Sequence, residues 1–451
     1  MSEIRDPIYG FIEPSETELK IINTSLFQRL RRIKQLAMAY LVYPGANHTR
    51  FDHSLGVYHI ASLMAEKLLP GKENEEKRRI VRLSALLHDI GHGPFSHISE
   101  DVLDRYSDSD DTEKEKIHEK ITAKLIEHNR EISGLLSSDD KKNIIGLLTG
   151  TKVDFSLMRE IVSGPLDADK MDYLLRDSYF CGVKYGVFDL DRMLNTLDFY
   201  EEDYDKHIAV RHDGINSLEQ FVLAKYYMTT QVYRHKVRSV SDAMIVRGLE
   251  LGLDKDEINF LNRLYRYENT EEYIDNYLNY WDERVINELV FSEKPGFAHD
   301  IFKRLYNRLL FKKIFSEKLK DIDMLNERIK DKMININYKE NEDLKRKLEK
   351  EIASIKPLRC KKEYVIVNSF TIKSVREMSR NSEGEIMVID KSGDKKSFEE
   401  ESTVFSSIDE SMKDMYFEVY APLEYVDRID KNRKLTEIRK EILNILREME
   451  V

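Results

Sequence analysis

Apolar residues recur at helical spacing over most of the chain. Ser25 to Leu36 places them at 26, 27, 30, 33 and 36 above a basic opposite face, which predicts an amphipathic helix. Asp52 to Leu69, Lys77 to Ile90, Met158 to Asp177 and Ser217 to Leu251 keep the same period, and Gly91-His92-Gly93-Pro94 stops the second of these. Strict alternation replaces it at His207 to Arg211 (HIAVR) and Lys362 to Val367 (KEYVIV). Glu385 to Asp390 and Met415 to Ala421 suggest further strands. Residues 104–120 are charged enough to predict a solvated loop leading into a helix. The span 313–356, rich in Lys, Glu and Asp at helical spacing, reads as a long exposed helix or helical hairpin. The pattern predicts a mainly α protein: a helical core over 1–270, a helical extension over 271–356 and a smaller C-terminal α+β unit over 357–451. We assign that last unit to assembly or regulation.

Composition narrows the class. A chain of 451 residues exceeds one ordinary domain and can bury a large core. Two cysteines, Cys181 and Cys360, argue against a disulfide framework and fit a reducing compartment. The opening MSEIRDPIYGFIEPSE has no apolar run, and no stretch of about eighteen apolar residues follows, so a cytoplasmic protein without a membrane span is expected. The net charge of −11 argues against broad affinity for nucleic acid, which needs clustered cations, but it leaves room for a local anion pocket. Eight of the twelve histidines (48, 53, 59, 88, 92, 97, 118 and 128) crowd into one window, and that clustering marks where to look for chemistry.

His88-Asp89 ends an apolar helix, IVRLSALLHDI, where an unpaired carboxylate is expensive to bury. A divalent metal coordinating both side chains resolves that cost. The dipeptide alone is common, and His212-Asp213 and His299-Asp300 read as ordinary turn or cap pairs. Imidazole plus carboxylate suits Mn, Mg, Fe, Zn or Ni without choosing among them. Further ligands are needed. His48, His53 and His59 upstream and the acids of Asp167-Ala168-Asp169-Lys170-Met171-Asp172 downstream are all open to that role by spacing alone.

Three stretches carry a resemblance: Arg50-Phe51-Asp52-His53-Ser54-Leu55-Gly56-Val57, His88-Asp89-Ile90-Gly91-His92-Gly93-Pro94-Phe95-Ser96-His97, and Asp169 through Asp177. In this order they resemble the HD-domain superfamily, and within it the dNTP triphosphohydrolase branch that includes the SAM-and-HD-domain enzyme. Phe27 to Leu36, Tyr43-Pro44-Gly45-Ala46 and Tyr233-Arg234-His235-Lys236 extend the likeness from Asp6 to about residue 240. The chain has no room for a SAM domain. The resemblance implies an all-helical HD core and a metal held by His53, His88, Asp89 and Asp169, with His48 and His59 left as polar or core histidines. It also implies hydrolysis of deoxynucleoside triphosphates to deoxynucleoside and inorganic triphosphate, with Mg accompanying the nucleotide.

The same resemblance distributes the substrate. It favours Arg50, one turn before His53, with Lys170, Lys225 and Tyr233, for holding the nucleotide and its triphosphate; by spacing Lys225, Thr229, Tyr233 and Lys236 share one face of the helix 217–251. Lys225 and Thr229 depart from the family's arginine and histidine. His92 and His118 would lie beside the α-phosphate, with His97 as general acid at the leaving sugar oxygen. Tyr173 and Tyr233 would pack on the sugar, Asp177 would accept from the 3′-hydroxyl, and Gln35 and Leu36 would line that end. Asn23, Arg31 and Arg192 match activator-binding positions, Asn23 replacing an aspartate. A homodimer or homotetramer follows. Two other readings stand beside this one: an HD nucleotidase or phosphodiesterase on another phosphate ester, and a nucleotide-sensing or single-strand-binding protein supported by the basic stretch 28–34.

Overall fold

The computed structural model describes residues 3–107, 117–151, 156–322, 327–381, 384–407, 414–424 and 431–448. Of the charged segment expected as a loop, residues 108–116 lie outside the described residues, as do 323–326 of the span expected as an exposed helix. The chain is mainly helical. No helix among the described residues is long and apolar enough to cross a membrane.

The chain forms two compact units, each assembled from three stretches. The first comprises Met1–Val232, Arg266–Arg284 and Val375–Glu410; the second comprises Tyr233–Tyr265, Val285–Ser374 and Ser411–Val451. This differs from the contiguous division at 270 and 356. The difference arises because the strand Met387–Ile389 pairs in parallel with Asp205–Arg211, which draws the 375–410 stretch into the first unit.

In the first unit the helix Arg50–Leu68 is buried nearly all round, with Phe51, Leu55, Val57, Ile60 and Met64 at 3% exposure or less. A helix without a polar face belongs in the middle of a core. Its start is set by Asp52, whose carboxylate accepts from both the backbone N–H and the hydroxyl of Thr49. Gly56 lets it meet the helix Ala168–Cys181 closely, since a Cβ there would overlap the Asp172 carboxylate and the Arg176 guanidinium. Helices Glu75–Leu87, His97–Tyr106, Ile117–His128 and Ser138–Thr149 complete this layer. A four-stranded sheet, ordered Lys395–Ser397, Met387–Ile389, Asp205–Arg211, Leu197–Glu202, belongs to the same unit.

Several expected elements are interrupted. The helix expected over Met158 to Asp177 is two, Ser156–Val162 and Ala168–Cys181. Pro165 lacks an N–H and bars Gly164 from helical geometry, and Asp167 caps the second piece. The one expected over Ser217 to Leu251 passes from α-helix (Ile215–Tyr227) into a π-helical turn (Met228–Tyr233) before His235 caps Lys236–Asp254. The wider turn and the break interrupt the regular helical spacing of Lys225, Thr229, Tyr233 and Lys236, of which the last two belong to the second unit. Ser25–Arg29 is helical and Leu30–Arg32 tightens to a 3₁₀ turn, short of the expected Leu36.

The second unit packs a three-stranded sheet, ordered Lys312–Lys318, Asp414–Ala421, Ile366–Ile372, on helices that include Glu327–Ile334, Glu342–Ala353 and Lys431–Glu448. Of the long exposed helix or helical hairpin expected over 313–356, the start is the strand Lys312–Lys318, and two successive helices follow, Glu327–Ile334 and Glu342–Ala353. Each helix keeps an exposed charged face but buries the other: Met333, Leu348 and Ile352, with Ile336 from the connection between them, lie in the unit's core beside Phe417, Val419, Ile438 and Ile442. The charged residues mask a sparse apolar stripe that burial uses fully.

Candidate active site

Three chain segments converge in the first unit. The Arg50–Leu68 helix contributes His53 on its second turn, His88-Asp89 follows the last turn of Glu75–Leu87, and Asp169 opens Ala168–Cys181. His53 Nε2 lies 3.0 Å from an Asp169 oxygen and 3.8 Å from Asp89 Oδ2, and His88 Nε2 lies 3.3 Å from Asp89 Oδ1. One ligand atom from each of His53, His88 and Asp89 falls within 4.8 Å of the others.

These atoms suit a divalent ion. His88 buries its Nε2 without a hydrogen-bond partner, and His53 Nε2 faces the Asp169 and Asp89 carboxylates, a crowding of donor atoms that a cation between them relieves. Each imidazole is oriented from its far side, as metal-binding histidines are. His53 Nδ1 is 2.8 Å from Asp172 Oδ2, and His88 Nδ1 is 2.8 Å from the Ala85 carbonyl. Burial opposes a charge on His53, but the Asp169 and Asp172 carboxylates outweigh it and push it up to about 10. Burial likewise opposes the Asp89 charge, and the Arg50 guanidinium with His88 and His92 holds that carboxyl well below its ordinary range.

Arg50 is 2% exposed; Nη1 donates to Asp89 Oδ2 at 2.8 Å and Nε to Ser96 Oγ at 3.0 Å, while Nη2 is buried with no partner. On the other side stand His92, His97 and His118, gathered around Glu100. The distances from their Nδ1 atoms to its carboxylate are 2.8, 3.0 and 3.1 Å. His92 and His118 stack at 4.3 Å, and His92 Nε2 reaches Asp89 Oδ1 at 3.1 Å, so His92 has a carboxylate at each nitrogen. His97 alone of the three is open, with 60% of its side chain exposed. Burial works against the Glu100 charge, but His92, His118 and His97 hold Glu100 far below its ordinary value.

Glu100 is not among the expected residues, and Asp172, open to a ligand role by spacing, stands instead behind His53. The available signal is spacing: Glu100 stands three residues after His97 and Asp172 three after Asp169, one helical turn in each case. Asp172 is the hub of a buried network, accepting from Tyr9 Oη at 2.7 Å and from Arg176 Nε at 2.9 Å, while Arg176 also donates to Asp6 at 2.9 Å.

The other expected residues are placed as follows. Tyr173 and Asp177 follow Asp169 at four-residue steps on one helix face, Asp177 2% exposed and 2.7 Å from His48 Nε2. Gln35 and Leu36 lie on the segment joined to the start of the Arg50 helix by the bridge between Lys34 and Thr49. The Lys170 ammonium turns back to the Gly164 carbonyl (2.8 Å) and Asp167 (2.5 Å), and Lys225 donates to the Met378 carbonyl at 3.0 Å. Tyr233 belongs to the second unit, with Arg238 5.0 Å over its ring. Asn23 caps the helix Glu16–Ile22, Arg31 lies over the Phe51 ring, and Arg192 pairs with Asp213 at 2.9 Å. His212-Asp213 and His299-Asp300 carry no such constellation: Asp213 meets Arg192, and Asp300 meets Arg304 at 2.7 Å.

Comparison with known proteins follows this geometry. The HD domain family matches residues 50–177, the span that supplies His53, His88, Asp89 and Asp169, and the HD associated region matches 188–444. The chain belongs to the HD-domain family. Its relatives include the uncharacterized protein MJ1154 of Methanocaldococcus jannaschii, 31% identical over all of this chain and 85% of that protein. YwfO of Bacillus subtilis is 34% identical over 54% of each chain. Human deoxynucleoside triphosphate triphosphohydrolase SAMHD1 is 31% identical over 69% of this chain, which spans 54% of SAMHD1. Among solved structures, a phosphohydrolase from Bacteroides thetaiotaomicron superposes with a TM-score of 0.72 at 26% identity over 93% of this chain and 99% of that one. A hypothetical protein from Aquifex aeolicus gives 0.71 at 31% identity, covering 97% and 100%. The protein is therefore an HD-domain phosphohydrolase by family, with histidine and aspartate groups able to hold a divalent metal.

Proposed function

We propose that this HD-domain protein hydrolyses deoxynucleoside triphosphates at the α-phosphate, releasing deoxynucleoside and inorganic triphosphate. One observation carries the reading. A single face of Ala168–Cys181 bears Asp169 at the metal end, Tyr173 next, and Asp177 two turns along, so a carboxylate for the metal and one for a sugar hydroxyl flank an aromatic side chain. SAMHD1, a relative at about 30% identity, is named for this reaction.

His53, His88, Asp89 and Asp169 would hold a divalent ion, which when bound supplies Lewis acidity for attack at phosphorus. The unpartnered Arg50 Nη2 offers its N–H to a phosphate oxygen, the guanidinium being fixed by Asp89 and Ser96. Water adds to the α-phosphorus, the bond to the 5′-oxygen breaks, and His97 gives that oxygen a proton. Glu100 holds His97 by Nδ1, leaving Nε2 as the donating nitrogen. Tyr173 crowds the sugar where a 2′-hydroxyl would sit, which gives the preference for deoxynucleotides. Subunits assemble as a dimer or tetramer, which sedimentation with and without dNTPs checks.

The test incubates purified protein with each dNTP and rNTP in Mn or Mg and resolves the products by chromatography. Triphosphate and deoxynucleoside from dNTPs, lost in His88→Ala/Asp89→Ala, are expected. His97→Ala should drop turnover by about 100-fold or more while metal content holds. Orthophosphate or monophosphate products would replace this substrate with another phosphate ester.

A further inference from the structure

Ser96 is unusual in where it stands, how its backbone runs and what its hydroxyl touches. It is the N-cap of the helix His97–Tyr106, where a serine ordinarily turns its hydroxyl to an N–H of the first turn, yet it makes no such bond. Its backbone lies at φ 53°, ψ −137°, in the positive-φ half of conformational space that a residue with a Cβ enters only under strain. The hydroxyl, buried with the rest of the residue at 3% exposure, accepts from Arg50 Nε at 3.0 Å and donates to the Lys34 carbonyl at 2.9 Å. The backbone N–H of Arg50 bonds the neighbouring Ile33 carbonyl at 2.8 Å, so Arg50 is moored to this stretch through its backbone and, by way of Ser96, through its side chain. Strain of this kind persists only where the surrounding structure holds it, and it gathers at functional sites.

The bond to Nε matters because of what the rest of the guanidinium does. Nη1 donates to Asp89 Oδ2 at 2.8 Å, and Nη2 is buried without a partner. Bonds at two different nitrogens fix the plane of a rigid, flat group. Without the Ser96 hydroxyl one bond would remain, and the guanidinium would be free to turn and lay Nη2 on Asp89 as well, in the forked pairing that arginine and carboxylate favour. We infer that Ser96 is a positioning residue for Arg50: its strained backbone carries the hydroxyl to Nε, which keeps the guanidinium from closing on Asp89 and leaves Nη2 open to a phosphate oxygen. This rests on the reading above in which Arg50 meets a phosphate, and it holds for any phosphate ester cleaved at this site. A serine that only held the turn together would instead make activity follow stability.

The experiment measures kcat/KM on a dNTP and the melting temperature for wild type, Ser96→Ala, Ser96→Gly, Arg50→Lys, and Arg50→Lys combined with Ser96→Gly. Alanine and glycine both remove the hydroxyl, but only glycine relieves the backbone, and glycine is itself an accepted N-cap. Ser96→Gly should therefore melt above Ser96→Ala, while both lose about tenfold or more in kcat/KM. Lysine has no counterpart of Nε, so adding Ser96→Gly to Arg50→Lys should cost less than about threefold further. Wild-type kcat/KM in either Ser96 variant, activity that returns with stability in Ser96→Gly, or losses that multiply in the double variant would make Ser96 structural and overturn the inference. If Arg50→Lys does not fold, the alanine and glycine pair carries the test. Wild-type protein that cleaves another phosphate ester but no dNTP overturns the substrate reading and leaves this one standing, with the same variants run on that ester. Wild-type protein that cleaves no phosphate ester overturns both.

Discussion

His53 is gripped from both ring nitrogens, with Asp169 at Nε2 and Asp172 at Nδ1. That makes Asp172 the residue that aims the imidazole, and Tyr9 and Arg176 in turn aim Asp172. Outer partners of this kind are worth about 10–100-fold in metal affinity. Asp172→Asn should therefore weaken Mn binding by about that factor, and Tyr9→Phe in the same direction by less, measured by competition with a chromophoric chelator. Equal affinity in wild type and Asp172→Asn would take the aspartate out of this role. The same residues show what the sequence makes legible. His88-Asp89 stands out because an acid closing an apolar helix demands a reason. Asp172 and Glu100 do not, because an acid one turn from a histidine or aspartate is ordinary on a solvated helix, and only the fold shows both turned inward. Lys170 and Lys225 carry the opposite lesson: a cation at the expected place finds protein partners, Asp167 and the Met378 carbonyl.

At the scale of elements, the turn after His88-Asp89 is held by parts of the chain that its own sequence does not announce. Phe95 and Ser96 both adopt left-handed backbone, φ 65° and 53°, which L-residues occupy only when their surroundings hold them there. The stretch 266–284 does the holding. Asp282 accepts from the Phe95 N–H at 2.8 Å and the Lys34 N–H at 2.9 Å, and Tyr277 donates to the Gly91 carbonyl at 3.1 Å. Arg29 braces both, bonding the carbonyls of His92, Leu278 and Tyr280. Burial pushes Asp282 up to about 7 from an ordinary 3.8, outweighing the two N–H donors that favour its charged form. The folded protein thus holds this proton more tightly than the unfolded chain. The contribution to stability is full below about pH 4 and is lost as pH rises through about 7. The gap in melting temperature between wild type and Asp282→Asn, which has nothing to titrate there, should shrink from pH 5 to pH 8. A gap that stays constant would mean Asp282 is ionised throughout. Periodicity locates the helices around this turn, yet it is blind to Pro165 and the π-turn at 228–233, where backbone chemistry overrides an unbroken apolar stripe.

At the scale of the whole molecule, the stretches 233–265, 285–374 and 411–451 build one unit and the rest another, an interleaving that no local pattern reveals because strand pairing between distant segments decides it. The second unit carries its own signature: buried Arg247, Glu250 and Glu349, joined by the half-buried Arg346. Arg247 donates to Glu349 through both terminal nitrogens, with both side chains 2% exposed. Arg346 adds bonds to Glu349 at 3.0 Å and Glu250 at 3.3 Å. Glu349 also accepts from the Val367 N–H at 3.3 Å, linking the helix Glu342–Ala353 to the strand Ile366–Ile372. A buried ion pair is weak evidence of net stabilisation, since desolvation offsets the attraction, but removing one partner leaves a bare charge in the core. Glu349→Ala should cost about 3–5 kcal/mol, read from urea unfolding, with amide exchange rising across 342–372. Replacing both partners, Arg247→Met with Glu349→Leu, should recover a large part of that loss, because no unpaired charge then remains between them. If the single substitution costs less than about 1 kcal/mol, water reaches Arg247 and the pair is not the buried anchor of this unit. If the double is as unstable as the single, the Val367 N–H and Arg346 contacts of Glu349, rather than the bare Arg247 charge, are what the unit depends on.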